Sequence, residues 1–143
     1  MFSKLFAAAD ISASGMAAER MRMETVANNI ANANSTNSVE GGPYRRQQLI
    51  FSAVMDSSAA DSTGLRGVKV IGQESDQSPF IKIYAPGHPE ADEHDMVLMP
   101  NVKLPNEMVD MITASRSYEA NLKALTSFKE MVEQTLTLLR GGR

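Results

Sequence analysis

Two apolar seams of period 3.5, one at each end of the chain, restrict what it can fold into. In the C-terminal part Met111, Tyr118, Leu125, Val132 and Leu139 fall seven apart, and Met108, Leu122 and Leu136 lie on a companion row. The N-terminal part has Ala9, Met16, Met23 and Ile30, again seven apart, flanked by Leu5 and Val26. That spacing is the pattern of coiled-coil helices. The N-terminal stripe is narrow, because Ser12 and Glu19 interrupt its second row. A lone helix of this kind is marginal in water, since packing rather than propensity supplies most helical stability. The two helices can pack on each other, but one pair leaves much of each stripe bare. Tyr118, Phe128 and Leu138 widen the C-terminal surface further. The pattern predicts ends that neighbouring chains complete.

The helices should run over about residues 3–32 and from Pro105 to the glycines at 141 and 142. Gly15 is a weak point, costing about 1 kcal/mol relative to alanine. Pro105 suits a first helical turn, Glu107 suits the positive end of the helix dipole, and Arg140 and Arg143 suit the negative end. Short polar side chains at positions 34–38 end the first helix by competing for its backbone. Between the helices the period falls to two. Strands are predicted over 44–54, 65–71, 80–84 and 96–99, with a turn at Gly41-Gly42-Pro43 and a polar loop over 57–64. Leu49 and Phe51 should share one strand face, as should Val68 and Val70. The expected fold is α+β, mainly α: a coiled-coil-like arm of two long helices with a small β-hairpin region between them. In chain order this gives a helix over 1–36, a β-rich region over 37–101 and a helix over 102–143.

Composition removes several function classes. The net charge of −3 carries no basic block, which argues against nucleic-acid binding. With no cysteine, disulfides, thiolate metal sites and cysteine nucleophiles are ruled out. No apolar run is long enough to insert in a membrane. Near the start, the run from Leu5 to Ala9 is stopped by Asp10, too short for the roughly 7–15 apolar residues of a cleavable signal. No nucleotide-binding glycine loop, nucleophile elbow or helical zinc motif occurs, so neither an enzyme nor a cofactor is expected.

Two clusters invite sharper readings. Asparagine is concentrated at Asn28, Asn29, Asn32, Asn34 and Asn37. Asparagine is a poor helix former, so three inside one helix cost local stability. Asn28 and Asn32 share a face, which is either a solvated, fraying end or an inter-chain row of amides that donate and accept. His88 and His94 lie among Glu90, Asp92, Glu93 and Asp95, but without recognised ligand spacing. A solvated acidic loop is the expected outcome there, and no metal site.

The run Val26-Ala27-Asn28-Asn29-Ile30-Ala31-Asn32, followed by Ser35-Thr36, resembles the N-terminal signature of bacterial flagellar axial proteins. Narrower motifs follow. They are Gly42-Pro43-Tyr44-Arg45; Tyr84 with Pro86-Gly87-His88-Pro89 and Ala91-Asp92; and Met99-Pro100-Asn101-Val102. Glu107-Met108 and Ser115-Arg116-Ser117-Tyr118-Glu119-Ala120-Asn121 complete the set. Together they span almost the whole chain and resemble the FlgC family of proximal-rod proteins. Two positions depart from it. Lys103 stands where relatives usually carry Asn or Asp, a natural helix cap, and Asp95-Met96 stands where they more often have Gly-Tyr.

The resemblance implies a structural subunit of the flagellar rod, the helical shaft that crosses the periplasm and passes motor torque to the hook. It implies terminal helices paired around a central channel, with the β region outside. It further implies delivery by the flagellar type III export apparatus without a cleavable signal peptide. The implied neighbours are other copies, rod proteins of the FlgB, FlgF and FlgG types, the basal-body ring and the rod-base adaptor. Asn28, Asn29, Asn32 and Thr36 would carry the axial signature. Pro43, Tyr44, Pro100, Asn101, Glu107, Arg116 and Asn121 would carry the rod-type motifs.

Overall fold

The computed structural model describes residues 2–38, 41–55 and 65–141. Helix α1 (Phe2–Ala31) is followed by strands β1 (Gln47–Met55), β2 (Leu65–Ser75), β3 (Ile81–Tyr84) and β4 (Met96–Met99), and then by helix α2 (Leu104–Gly141). The strands form two two-stranded sheets, β1 with β2 and β3 with β4. Two long helices with a small two-hairpin region between them is the α+β, mainly helical architecture that the seams and the period change predict. The predicted loop over 57–64 and the chain end at Gly142 and Arg143 lie outside the described residues.

Element boundaries moved where backbone groups found other partners. β1 starts at Gln47 rather than 44. The Tyr44 N–H donates to the Ser35 carbonyl (2.9 Å) and the Arg46 N–H to Asn101 Oδ1 (2.8 Å), so neither joins a ladder. β2 runs four residues past the expected end, to Ser75, and the Asp76 N–H then closes on the Arg46 carbonyl (2.8 Å). α2 runs to Gly141, its last described residue, with Arg140 in the last turn as expected. Leu49 and Phe51 are both half-buried, as are Val68 and Val70, with Lys69 exposed between them.

The chain divides into two compact units. One comprises residues 22–50 and 72–113, the other residues 1–21, 51–71 and 114–143. Spatial grouping thus differs from chain order, since each unit draws on helix and strand. In the first unit the buried residues are the apolar Val26, Val97 and Val102 together with the polar Thr25, Asn29, Asn101 and Glu107, and Pro100. β3 and β4 are antiparallel there, with Ile81 opposite Met99 and Ile83 opposite Val97, so buried Val97 anchors one hairpin face. In the second unit the buried apolar residues are small, Ala18 and Ala114, and close approach takes the place of bulk. A Cβ at Gly15 would stand 2.9 Å from Asn121 Nδ2, which explains a glycine inside α1. Gly67, at φ +115, leaves room for Ser14, whose hydroxyl donates to the Ile11 carbonyl (2.7 Å) and accepts from the Val68 N–H (3.2 Å).

The β3–β4 turn accommodates its departure from the family pattern. Asp95 adopts φ 58, the left-handed region in which a glycine is unstrained. Asp92 holds the turn: its Oδ1 accepts from the N–H groups of His94 (2.8 Å) and Met96 (2.9 Å). Those two bonds, the Met96 one foremost, lower the Asp92 carboxyl below its ordinary pKa. Asp95→Gly should therefore raise stability by about 0.5–1 kcal/mol, after allowance for the extra freedom of glycine in the unfolded chain. Urea denaturation of the two proteins tests this; a lower midpoint for the glycine variant would contradict it.

Candidate functional site

Asn29 is the centre of the first unit. It lies in the last turns of α1 and is 1% exposed. Its Nδ2 donates to the Gln47 carbonyl (2.8 Å) and to Glu107 Oε2 (3.0 Å). Its Oδ1 accepts from the Tyr44 hydroxyl (2.9 Å) and the Gln47 N–H (2.9 Å). An amide has two donor hydrogens and two acceptor lone pairs, and here all four are used. One side chain therefore joins α1, the segment before β1, β1 and α2.

Glu107, in the first turn of α2, is 0% exposed. Its second oxygen accepts from Arg46 Nε at 2.6 Å, a short charge-assisted bond. The same guanidinium reaches Asp110 Oδ2 at 3.4 Å and Asp76 Oδ2 at 3.7 Å. Asn101 anchors the far side. Its Oδ1 takes the Arg46 N–H, while its Nδ2 donates to the carbonyls of Asp76 (3.0 Å) and Ser78 (3.2 Å) and to Ser78 Oγ (2.8 Å). Arg45 donates to the same two carbonyls and stacks over Phe80, 4.3 Å from the ring centroid. An open cleft of about 570 Å³ beside this network is lined by Arg46, Asp76, Asn101, Lys103, Glu107 and Asp110.

Two titrating groups feel the network. The Tyr44 hydroxyl is pushed above its ordinary value, mainly by burial and then by the Glu107 charge. Asp76 is held below its ordinary value, first by the Ser78 N–H and hydroxyl, with Arg46 and Arg45 adding to the effect. The arrangement ties segments of the unit together.

The sequence motifs divide sharply. Asn29, Tyr44, Asn101 and Glu107 converge on the hub, and Pro100 is buried beside Asn101. The two asparagines singled out for a shared face do not join it: Asn28 is exposed, and Asn32 donates locally to the Asn28 carbonyl (2.9 Å). Thr36 and Pro43 are half-buried and Arg116 is exposed. Asn121 packs on Gly15 and donates to the Ser117 carbonyl (3.1 Å). Glu107, expected to complement the helix dipole and to carry a rod-type motif, is a buried partner of Asn29 and Arg46. Arg46, Gln47, Asp76, Ser78 and Asp110 were not legible as site residues, although Arg46 directly follows the Gly42-Pro43-Tyr44-Arg45 motif.

Along the seams Val26 is buried, while Met16, Met23, Ile30, Met111, Tyr118, Leu125 and Val132 are half-buried. Met108, Leu122, Leu136 and Leu139 are exposed, Leu139 to 71%. His88 and His94 are exposed, and no group of three or more metal-ligating side chains occurs among the described residues. No described helix is long and apolar enough to cross a membrane.

Comparison with known proteins now bears on this geometry. The family model "Flagella basal body rod protein" matches residues 10–37, which include Asn29. A second, "Flagellar basal body rod FlgEFG protein C-terminal", matches residues 95–138, which include Asn101 and Glu107. Three relatives are described as flagellar basal-body rod protein FlgC. That of Aquifex aeolicus is 48% identical over 92% of this chain and 94% of its own length. That of Salmonella typhimurium is 43% identical over 90% and 93%. That of Borreliella burgdorferi is 38% identical over 96% and 99%.

Arg46→Ala leaves the Glu107 charge buried and unpaired, so it should cost about 3–5 kcal/mol in urea denaturation. A cost below about 1 kcal/mol, the range of exposed ion pairs, would contradict the hub's burial. The pH dependence has two limbs. Tyr44, whose folded pKa is raised, contributes stability that is complete below about pH 10 and lost above it. Asp76, whose folded pKa is lowered, contributes stability present above about pH 4 and lost as acid protonates it. Tyr44→Phe should flatten the alkaline limb of a midpoint-versus-pH curve and leave the acid limb in place.

Proposed function

The chain belongs to the FlgC family of flagellar basal-body rod proteins, and from that premise we propose that it is a non-catalytic structural subunit of the proximal rod, polymerising helically into the torque-transmitting shaft. The observation that carries this reading is the likeness to FlgC proteins over nearly the whole chain. The structure adds a physical reason for assembly. Met108, Leu122, Leu136 and Leu139, the exposed apolar side chains of the α2 seams, lie on one helix with Leu138, itself 79% exposed. Covering a side chain of this size contributes about 1.5–3 kcal/mol. Several such contacts together offset the entropy of ordering a long helix end, which a single molecule does not offset alone.

In this reading the exposed rows are covered by adjoining copies and by rod proteins of the FlgB, FlgF and FlgG types. The basal-body ring and the rod-base adaptor are further neighbours, and the flagellar type III apparatus delivers the chain to its periplasmic site. The hub shapes each subunit, and the seams join subunits.

Leu122→Asp with Leu136→Asp tests the division of labour. Both residues are exposed, so the isolated variant should keep the circular-dichroism spectrum and urea midpoint of the parent. In a strain lacking the native gene it should be absent from purified basal bodies and fail to restore swimming. Normal incorporation of the double variant would overturn the assignment of the seams to assembly.

A further inference from the structure

An apolar seam of period 3.5 does not choose its own register. Sliding one helix past the other by seven residues returns a similar side chain to each place. Both α1 and α2 carry such seams. Two approaches across the pair are made by small or polar residues: Asn29 bonds Glu107, and Gly15 sits against Asn121. On α2, Glu107, Ala114 and Asn121 are seven apart, so one row of that helix contains a buried charge, a buried methyl group and an amide. Shape alone discriminates poorly along such a row.

The geometry points to Asn29, Arg46 and Glu107 as a register lock that selects a single alignment of α1 against α2. Slid by seven residues, the Asn29 amide stands opposite Ala114 or opposite Pro100, and neither side chain bonds an amide. Its four native bonds cannot re-form, because two of them go to the Gln47 backbone and one to the Tyr44 hydroxyl. Glu107 would then face Thr36 or Arg22. The Arg22 alignment offers the charge a substitute partner, so charge alone does not forbid it; the lost Asn29 bonds do. Arg46 completes the lock from outside the helix pair. Its backbone N–H is pinned by Asn101, and its Nε holds the Glu107 oxygen that Asn29 does not use. Buried polar groups that fix register at some cost in stability are the best-attested use of such groups. Arg46 is thus a positioning residue: it acts on α1 through Glu107.

The absence of cysteine makes this testable by disulfide trapping in the purified full chain. Gly15→Cys with Asn121→Cys reports the native register. Gly15→Cys with Phe128→Cys, or with Ala114→Cys, reports a slide of one heptad. With the lock intact, the native pair alone should cross-link under mild oxidation. Placed in an Asn29→Leu, Glu107→Leu background, which removes the amide bonds that forbid the slide together with the buried carboxylate, the slipped pairs should rise from background to yields comparable with the native pair. Native-only cross-linking in that background would overturn the proposal, as would slipped cross-links in the intact protein. Should the double-leucine background not fold by circular dichroism, Asn29→Ala, which removes the four amide bonds and keeps the Arg46–Glu107 pair, gives the same reading. Slipped cross-links above background then support the lock, and their absence overturns it. The readout concerns the isolated molecule, so it stands or falls independently of rod assembly.

Discussion

The carboxylate of Glu107 sits in the first turn of α2 without solvent contact, and the surrounding structure is arranged to make that tolerable. An isolated buried carboxylate costs far more than a single domain can absorb. The Arg46 guanidinium and the Asn29 amide divide its two oxygens, and each is itself held by further bonds. Asn101 fixes the Arg46 backbone, and Gln47 and Tyr44 fix the Asn29 carbonyl oxygen. Removing any one member exposes another to an unmet demand. That dependence makes the unit of residues 22–50 and 72–113 cooperative out of proportion to its three buried valines.

Two kinds of contact therefore do different jobs. The hub is directional: it works in one arrangement of α1, the 44–47 segment and α2. The seams are non-directional, and much of α2 leaves its apolar side chains in solvent. A subunit that is specific inside and adhesive outside suits a structure built by adding identical parts. In the proposed assembly, burial of the seams would supply the free energy of association, while the register lock we infer would give each part the same face. Were the internal contacts also purely apolar, neighbours would meet subunits in more than one alignment.

Much of the fold was legible from periodicity. α1 and α2 begin and end close to the limits set by the seams and by Pro105, and β4 matches its expected span. Strand starts were less legible, because Tyr44 and Arg46 give their N–H groups to Ser35 and Asn101 rather than to a ladder. The α1 face was read mainly from its large side chains, yet its most buried residues among the described side chains are Ala18, Thr25, Val26 and Asn29, which flank the Met16–Met23–Ile30 row. Small and polar residues carry little weight in a hydrophobic pattern. The hub was the least visible feature. Its bonds join residues 61 and 78 positions apart, and no local period reports such a pairing. The family motifs named four of its members without showing that they meet, and the helix-face reading drew attention to Asn28 and Asn32 when Asn29, which lies between them, does the joining.

Native-state amide hydrogen exchange of the isolated full-length protein at high dilution tests the central claim most directly. Internal polar wiring with externally satisfied seams predicts a steep gradient. The N–H groups of Arg46 and Gln47, and those of α1 around Asn29, should exchange only with global unfolding. The stretch of α2 beyond Met131, where Leu136, Leu138 and Leu139 are exposed, should exchange through local opening many times faster. Uniform protection from α1 to the end of α2 would contradict the account, as would fast exchange at Arg46 and Gln47.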